Sequence, residues 1–273
     1  MSYSAIIRTK NPGAVFRECL DSLNAQTQPP GEVIVVDSGS ENDFLKEVEE
    51  AGCKLVRYRH EGIFFPGKAV NLGVEIANFP VVCVISPHCE IISPKTAEQA
   101  MNELEKDSQI VSIRINSIKP TLKTEAPPEF RYDIFDASNY TAGLADFPCT
   151  WLRTKPLRDN PLSETMYLNE DQFWLYDRIQ EGWKLLYYRD VQYYYRTRNY
   201  NFWKRYQGLL ITHAILFPET MTWRRAWMAF RSMGWYVRHG RRRGAWEQGI
   251  DLLAIVRFKL LGPLKKIKPI TYK

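Results

Sequence analysis

The sequence predicts an α/β protein: a mixed, mainly parallel sheet flanked by helices, with a basic helical extension at its C-terminal end. Three observations carry this. Short apolar runs (SAIIRT, GEVIVVD, VVCVIS) alternate with segments of helical periodicity. The run EVIVVD has no polar alternation, the pattern of a strand buried on both faces of a parallel sheet. Charge is also uneven: from Arg196 onward there are 17 Lys/Arg against 3 Asp/Glu, while the preceding residues hold 20 against 28. An acidic body with a basic tail sets a boundary near residue 196, dividing the chain into 1–200 and 201–273.

The elements follow in order. SAIIRT is a strand ending in Thr9-Lys10-Asn11, and Pro12-Gly13 turns the chain into a helix with Val15, Cys19, Leu20 and Leu23 on one face. GEVIVVDSGS is a second strand ending in Asp37, followed by a charged helix from about Asn42 to Ala51, and CKLVRYR is a third strand. Phe65-Pro66-Gly67 opens a helix that carries Lys68 and Asn71. VVCVIS is a fourth strand, closing at Ser86-Pro87-His88-Cys89-Glu90. Ile110–Ile118 is a further strand, 119–131 is a proline-containing loop, and Tyr140–Trp151 is irregular, with Asp146 a candidate second acid that is read as a loop residue. Glu170-Asp171 then opens a helix with Phe173, Leu175, Tyr176 and Ile179 mostly buried, and Gly182 leads into the strand KLLYY.

At 273 residues the chain suits one enzyme-sized domain plus an appendage. No run reaches the ~18 apolar residues of a membrane-spanning helix, and MSYSAIIRTKN contains no apolar signal core. The five cysteines are scattered without CxxC spacing, which fits a reducing compartment rather than a disulfide framework or zinc site. A cytoplasmic location is expected.

Ligands of a parallel sheet bind beyond the carboxyl ends of its strands, so Thr9–Asn11, Asp37 and Ser86–Glu90 are expected to converge on one crevice. GxGxxG after the first strand and GxxxxGK[ST] are both absent, which excludes the dinucleotide and P-loop fingerprints. A carboxylate at Asp37 can accept hydrogen bonds from a ribose hydroxyl or a base N–H. Equally, it can cap the helix that follows.

The ordered set IIRTKN, a helix with SLNAQ, EVIVVDSGSEND, FFPGKAVNLG and a strand ending at Ser86 resembles the family 2 glycosyltransferases, which have the GT-A (Rossmann-like) fold. More narrowly it resembles their rhamnosyltransferase-like and polysaccharide-assembly members. The likeness runs from about Tyr3 to Tyr200. It implies inverting transfer of a sugar from a nucleotide-diphosphate sugar to a hydroxyl of a glycan or lipid-linked acceptor, in cell-surface polysaccharide or glycolipid assembly. By resemblance Thr9, Asn11 and Asp37 contact the nucleoside, Lys68 and Asn71 lie near base and ribose, and Ser86 and His88 belong to the donor site. The family's acidic pair corresponds to Glu170-Asp171, with Asp171 as catalytic base and Glu170 as an orienting or acceptor-binding neighbour. Acids at a helix N-terminus are stabilised by the dipole in any case, so both also have a purely structural reading. Tyr140–Trp151 falls on the acceptor side of such enzymes.

The chain departs from the family where GT-A enzymes carry a DxD-type motif for a divalent metal, Mg²⁺ or Mn²⁺. The segment here is SPHCE, with His88 near the place of the usual Asp. A second family position, a His after the strand that follows Gly182, falls in Arg196-Thr197-Arg198-Asn199-Tyr200. Three readings compete: His88 and Glu90 hold a metal; Arg196 and Arg198 replace its charge on the diphosphate, guanidinium being a bidentate phosphate partner; or the protein is a catalytically altered nucleotide binder. The arginine reading is preferred.

In the tail, Trp223, Trp227, Phe230 and Val237 follow helical spacing among Arg224, Arg225, Arg231 and Arg238. A second helix carries Trp246, Ile250, Leu253, Ile255 and Leu260 between Arg241-Arg242-Arg243 and Lys265-Lys266. Such helices fit peripheral contact with an anionic membrane surface, here the inner face of the membrane. Packing of their apolar faces on the catalytic domain is the alternative. A nucleic-acid-binding role is disfavoured, because the excess basic charge is confined to the tail and no nucleic-acid motif occurs.

Overall fold

In the computed structural model, residues 1–60, 64–118, 130–141, 143–196 and 202–262 are described. Arg198 and the Lys265-Lys266 pair lie outside them, as does most of the 119–131 loop. The chain divides into two compact units, Met1–Tyr140 with Leu144–Thr197, and Thr141–Gly143 with Arg198–Lys273.

In the first unit, β1 (Tyr3–Thr9), β2 (Glu32–Asp37), β3 (Lys54–Arg57) and β4 (Val81–Ile85) are joined through α1 (Val15–Asn24), α2 (Asn42–Glu50) and α3 (Pro66–Ile76). These strands lie parallel in the order β3-β2-β1-β4, with Thr9 beside Asp37 in register. The sheet continues β4-β8-β6-β9-β5, with β7 paired to β9. Here β5 is Cys89–Ile91, β6 Ile110–Ile118, β7 Tyr132–Phe135, β8 Cys149–Arg153 and β9 Lys184–Tyr195. β8 runs antiparallel to β4 and β6, β5 and β7 antiparallel to β9, and β6 parallel to β9.

Alternation along the strands explains why β1, β2 and β4 are largely apolar, while edge strand β3 (KLVR) is not. Ile7, Val35, Cys83 and Ile85 pack on one face with Phe16, Cys19, Leu20 and Leu23 of α1 and with α4 (Thr96–Lys106). Ile6, Ile34, Val36, Val82 and Val84 pack on the other with α3, α5 (Thr154–Asp159) and α6 (Glu170–Gln180). β1, β2 and β4 therefore have two buried faces, whereas β3 at the sheet edge is only half-buried.

Several expectations shift. SPHCE is a turn that runs into β5 rather than a terminal loop, and β5 is held as a strand by its pairing with β9. Within Tyr140–Trp151 the last residues belong to β8, inserted between β4 and β6. On α1, Phe16 is buried where Val15 is only half-buried, and on α6 Trp174 and Arg178 are buried in place of Phe173 and Tyr176. The buried arc of each helix is thus rotated by one residue toward the bulkier side chain.

From Phe202 onward the described residues of the second unit are mainly helical. α7 (Phe202–Gly208) passes through a π-helical turn (Leu209–His213) into the short α8 (Ala214–Leu216), a 3-10 turn (Pro218–Thr220), α9 (Trp223–Arg238) and α10 (Arg242–Leu261). Its core joins Leu210, Met221, Ala226, Ala254 and Ile255. Arg205 donates from Nε and Nη2 to both carboxylate oxygens of Asp251, at 2.8 and 2.9 Å, tying α7 to α10. No described helix is long and apolar enough to cross a membrane.

Candidate active site

The carboxyl ends of β1 and β2 are stitched together by small polar residues. Asp37 is fully buried, and its carboxylate accepts from the backbone N–H groups of Gly39 and Ser40 at 3.1 Å. Arg57 approaches the same carboxylate, Nε to Oδ2 at 3.4 Å. Asp37 therefore organises the turn after β2 rather than capping α2, whose N-cap position is Glu41. Asn11 takes the left-handed conformation (φ 42°), where its short amide is tolerated. Its N–H donates to Ser40 Oγ at 2.7 Å, and its Oδ1 accepts from Glu41 N–H at 2.9 Å. Ser38 donates to the Thr9 carbonyl from both N and Oγ. The Thr9 hydroxyl is buried beside this turn without a hydrogen-bond partner among the described residues.

The start of α3 packs on the segment before α6. Asn71 donates from Nδ2 to the Leu162 carbonyl at 2.9 Å and accepts at Oδ1 from Leu162 N–H at 3.0 Å. Its amide thus clamps this loop, while Lys68 lies 3.7 Å from Glu164. Gly67 has no room for a Cβ against the Ser163 carbonyl and the Glu170 side chain, which keeps the two segments close.

The acidic pair sits at the first turn of α6. Glu170 is buried and meets Arg8 of β1, Nη1 to Oε1 at 3.2 Å. Asp171 accepts from Phe147 N–H at 3.2 Å and from Gln172 N–H at 2.8 Å. Burial, with the nearby charges of Glu170 and Asp146, pushes the Asp171 carboxyl up to about 7, against the opposing pull of Arg8 and the Phe147 N–H. Asp146 lies 3.8 Å from Arg114, whose Nη1 also donates to the Leu144 carbonyl at 2.8 Å. The segment 146–148 links the parts: Phe147 holds Asp171, and the Pro148 carbonyl accepts from Ser86 N–H at 2.7 Å at the end of β4.

At the other edge, Arg196 lies between Glu18 of α1 and Glu90 of β5, at 2.6 Å from each. Its N–H donates to the His88 carbonyl at 2.9 Å. The Glu90 carboxylate is thereby matched to a guanidinium, so His88 and Glu90 do not fit a metal in this arrangement. No cluster of three or more His, Cys, Asp or Glu suited to a metal ion occurs among the described residues.

The sequence reading therefore meets three local groups: Thr9, Asn11 and Asp37; Lys68 and Asn71 against 162–164; and Glu170 with Asp171. It passed over Arg8 and underrated Asp146. Arg8 had a signal, a lone cation in an otherwise apolar strand. Asp146 had no local link to the acidic pair, since the β8 insertion brings it there.

A family model described as glycosyl transferase family 2 matches residues 4–161, more than half of the chain. The protein belongs to glycosyl transferase family 2. The matched span of this family 2 protein includes Thr9, Asn11, Asp37, Lys68, Asn71 and Ser86–Glu90 and ends before the acidic pair. No curated protein matches the sequence. Among solved structures the chain is similar to S. aureus TarS 1–349 in complex with UDP-GlcNAc, at 17% identity over 97% of this chain and 93% of that one, TM-score 0.60. It is also similar to the mannosyltransferase PcManGT from Pyrobaculum calidifontis in complex with GDP-Man and Mn²⁺, at 14% identity over 95% and 87%, TM-score 0.64. A longer TarS structure matches at 20% identity and TM-score 0.57, with 79% of this chain covering 40% of that one. These likenesses establish the GT-A fold.

Proposed function

We propose that this chain is an inverting glycosyltransferase that moves a sugar from a nucleotide-diphosphate sugar to an acceptor hydroxyl. The observation that carries it is Asp171: a carboxyl raised to about 7, beside Glu170 and Asp146, on the loop network that reaches the carboxyl end of β4. A base poised near the working pH takes a proton without being trapped as a weak anion. In this reading Asp171 accepts the acceptor's hydroxyl proton as that oxygen bonds to the anomeric carbon. The bond from that carbon to the diphosphate breaks on the opposite face, and its electrons leave with the nucleoside diphosphate. Glu170, held by Arg8, keeps the first turn of α6 in place.

The nucleoside is assigned to Thr9, Asn11 and Asp37, with Lys68 and Asn71 on its flank and Ser86 and His88 toward the diphosphate. Bound UDP, UDP-GlcNAc and GDP-Man in structures of the same fold support a nucleotide-sugar donor. Arg196, with Arg198, is proposed to stabilise the departing diphosphate. Arg196 is held by two carboxylates, so the diphosphate must displace at least one of them. The acceptor is proposed to be a glycan or lipid-linked hydroxyl at the inner face of the membrane, in polysaccharide or glycolipid assembly of the rhamnosyltransferase-like type.

A thermal-shift screen of nucleoside diphosphates and nucleotide sugars, with Mn²⁺ and with EDTA, tests the donor. A shift of the melting temperature by one base series, lost in Asp37→Asn, is the expected result. No response to any nucleotide defeats the reading.

A further inference from the structure

The second unit presents a surface whose chemistry the transfer reading does not use. α9 is capped by Thr222, whose Oγ1 accepts from Arg225 N–H at 3.1 Å, and it buries Ala226 and Ala229. The arc beside that buried one is apolar and open. Trp223, Trp227, Phe230 and Val237, three, four or seven residues apart, form one stripe and are 57%, 59%, 50% and 66% exposed. Trp227 and Phe230 stack at 5.7 Å, so the N-terminal half of the stripe is a ridge of paired rings. Arg224, Arg231 and Arg238 recur at seven-residue intervals beside it, all exposed. Met228 and Trp235, also exposed, lie beyond the arginine row. On α10 the exposed line Trp246, Leu253, Leu260 repeats the same interval.

We propose that the α9 ridge is a docking surface for an anionic lipid bilayer. The stripe of Trp and Phe buries at the headgroup–acyl boundary, and the row Arg224, Arg231, Arg238 pairs with lipid phosphates alongside it. Charge complementarity selects this occupant: from Arg196 onward the chain holds 17 Lys/Arg against 3 Asp/Glu. A second copy of the chain is a poorer fit, because a two-fold contact on this face sets the arginine row against itself. Nucleic acid would use the arginines and the rings but has nothing to offer Val237 or Met228. Ala226, Ala254 and Ile255 pack in the second unit's own core and Ala229 is buried, but the ridge residues stay exposed. The surface stands whether or not the first unit transfers sugar.

Vesicle co-flotation of the full chain tests it, with neutral phosphatidylcholine vesicles and vesicles containing about 30% phosphatidylglycerol. The chain should float with the anionic vesicles and far less with the neutral ones. Each exposed arginine near such a surface is worth about fivefold in affinity, so Arg224→Gln/Arg231→Gln/Arg238→Gln should lose about a hundredfold at low salt. Trp227→Ser/Phe230→Ser should lose about tenfold or more, with unchanged circular dichroism and elution volume. Asp171→Asn should float as the unaltered chain does, which separates this proposal from the catalytic one. Unchanged flotation of both surface variants overturns it. So does a dimer dispersed by Trp227→Ser/Phe230→Ser, or a salt-sensitive shift of labelled RNA, without vesicle binding.

Discussion

Asp171→Asn separates catalysis from stability in a measurable way. The folded protein holds the Asp171 carboxyl at about 7 against an ordinary 3.8, burial being the largest cause. With the folded pKa above the unfolded one, the group's contribution to stability is complete below about pH 4 and is lost as pH rises through about 7. Between pH 5 and pH 8 that loss integrates to about 2–3 kcal/mol. The amide variant has no such titration, so its stability relative to the unaltered protein should rise by the same amount over that interval. At roughly 2–4 °C per kcal/mol for a chain of this size, the difference in melting temperature should grow by about 5–10 °C. The comparison between two pH values cancels any fixed effect of the amide, such as the N–H of Phe147 or Gln172 that loses its carboxylate acceptor. Urea or thermal unfolding of both proteins across pH 5–8 reads it directly, and transfer with the donor found by the nucleotide screen should fall by at least ~10³-fold. Parallel pH profiles of stability would refute the buried-anion argument. Transfer near the unaltered rate would refute the base assignment.

Other outcomes follow from the same geometry. Arg8→Ala leaves buried Glu170 without its cation, so stability should fall by about 2–4 kcal/mol and the acid limb of kcat/KM should move to higher pH; Arg8→Lys should restore part of both. Arg196→Ala should abolish transfer if its guanidinium serves the diphosphate, with the unaltered enzyme active in excess EDTA; complete inhibition by EDTA would instead assign that charge to a metal. In the second unit, burial and then Arg225 push His213 down to about 4, so its contribution is present above about pH 6.5 and lost as pH falls toward 4. Hydrogen-exchange protection factors in Trp223–Arg238, corrected for the intrinsic rate at each pH, should therefore fall on acidification through that window, and His213→Gln should flatten the response.

Part of the first unit was legible because β1, β2 and β4 are buried on both faces and leave apolar, β-branched-rich runs. Asp37, Asn11 and the acidic pair were legible because motif order ties them to strand and helix ends. Three-residue β5 has too little length for a periodic signal, and it exists only through its pairing with β9. The role of Asn71 was also hidden: a helix-borne amide reads the same whether it meets a ligand or, as here, the backbone of Leu162. The pairing of Arg196 with Glu18 and Glu90 was hidden, because partners on α1 and β5 have no local signature.

By itself, then, the sequence determined the α/β class, the family's motif order and the basic amphipathic character of the tail, since periodicity, composition and local turns are properties of adjacent residues. Tertiary structure decided what each charge faces. Asp146 reaches the acidic pair only because β8 is inserted between β4 and β6, and Arg8 meets Glu170 across 162 positions. The proton affinity of Asp171 follows from those long-range neighbours and from burial, because desolvation and Coulomb interaction depend on distance in space and not on separation along the chain.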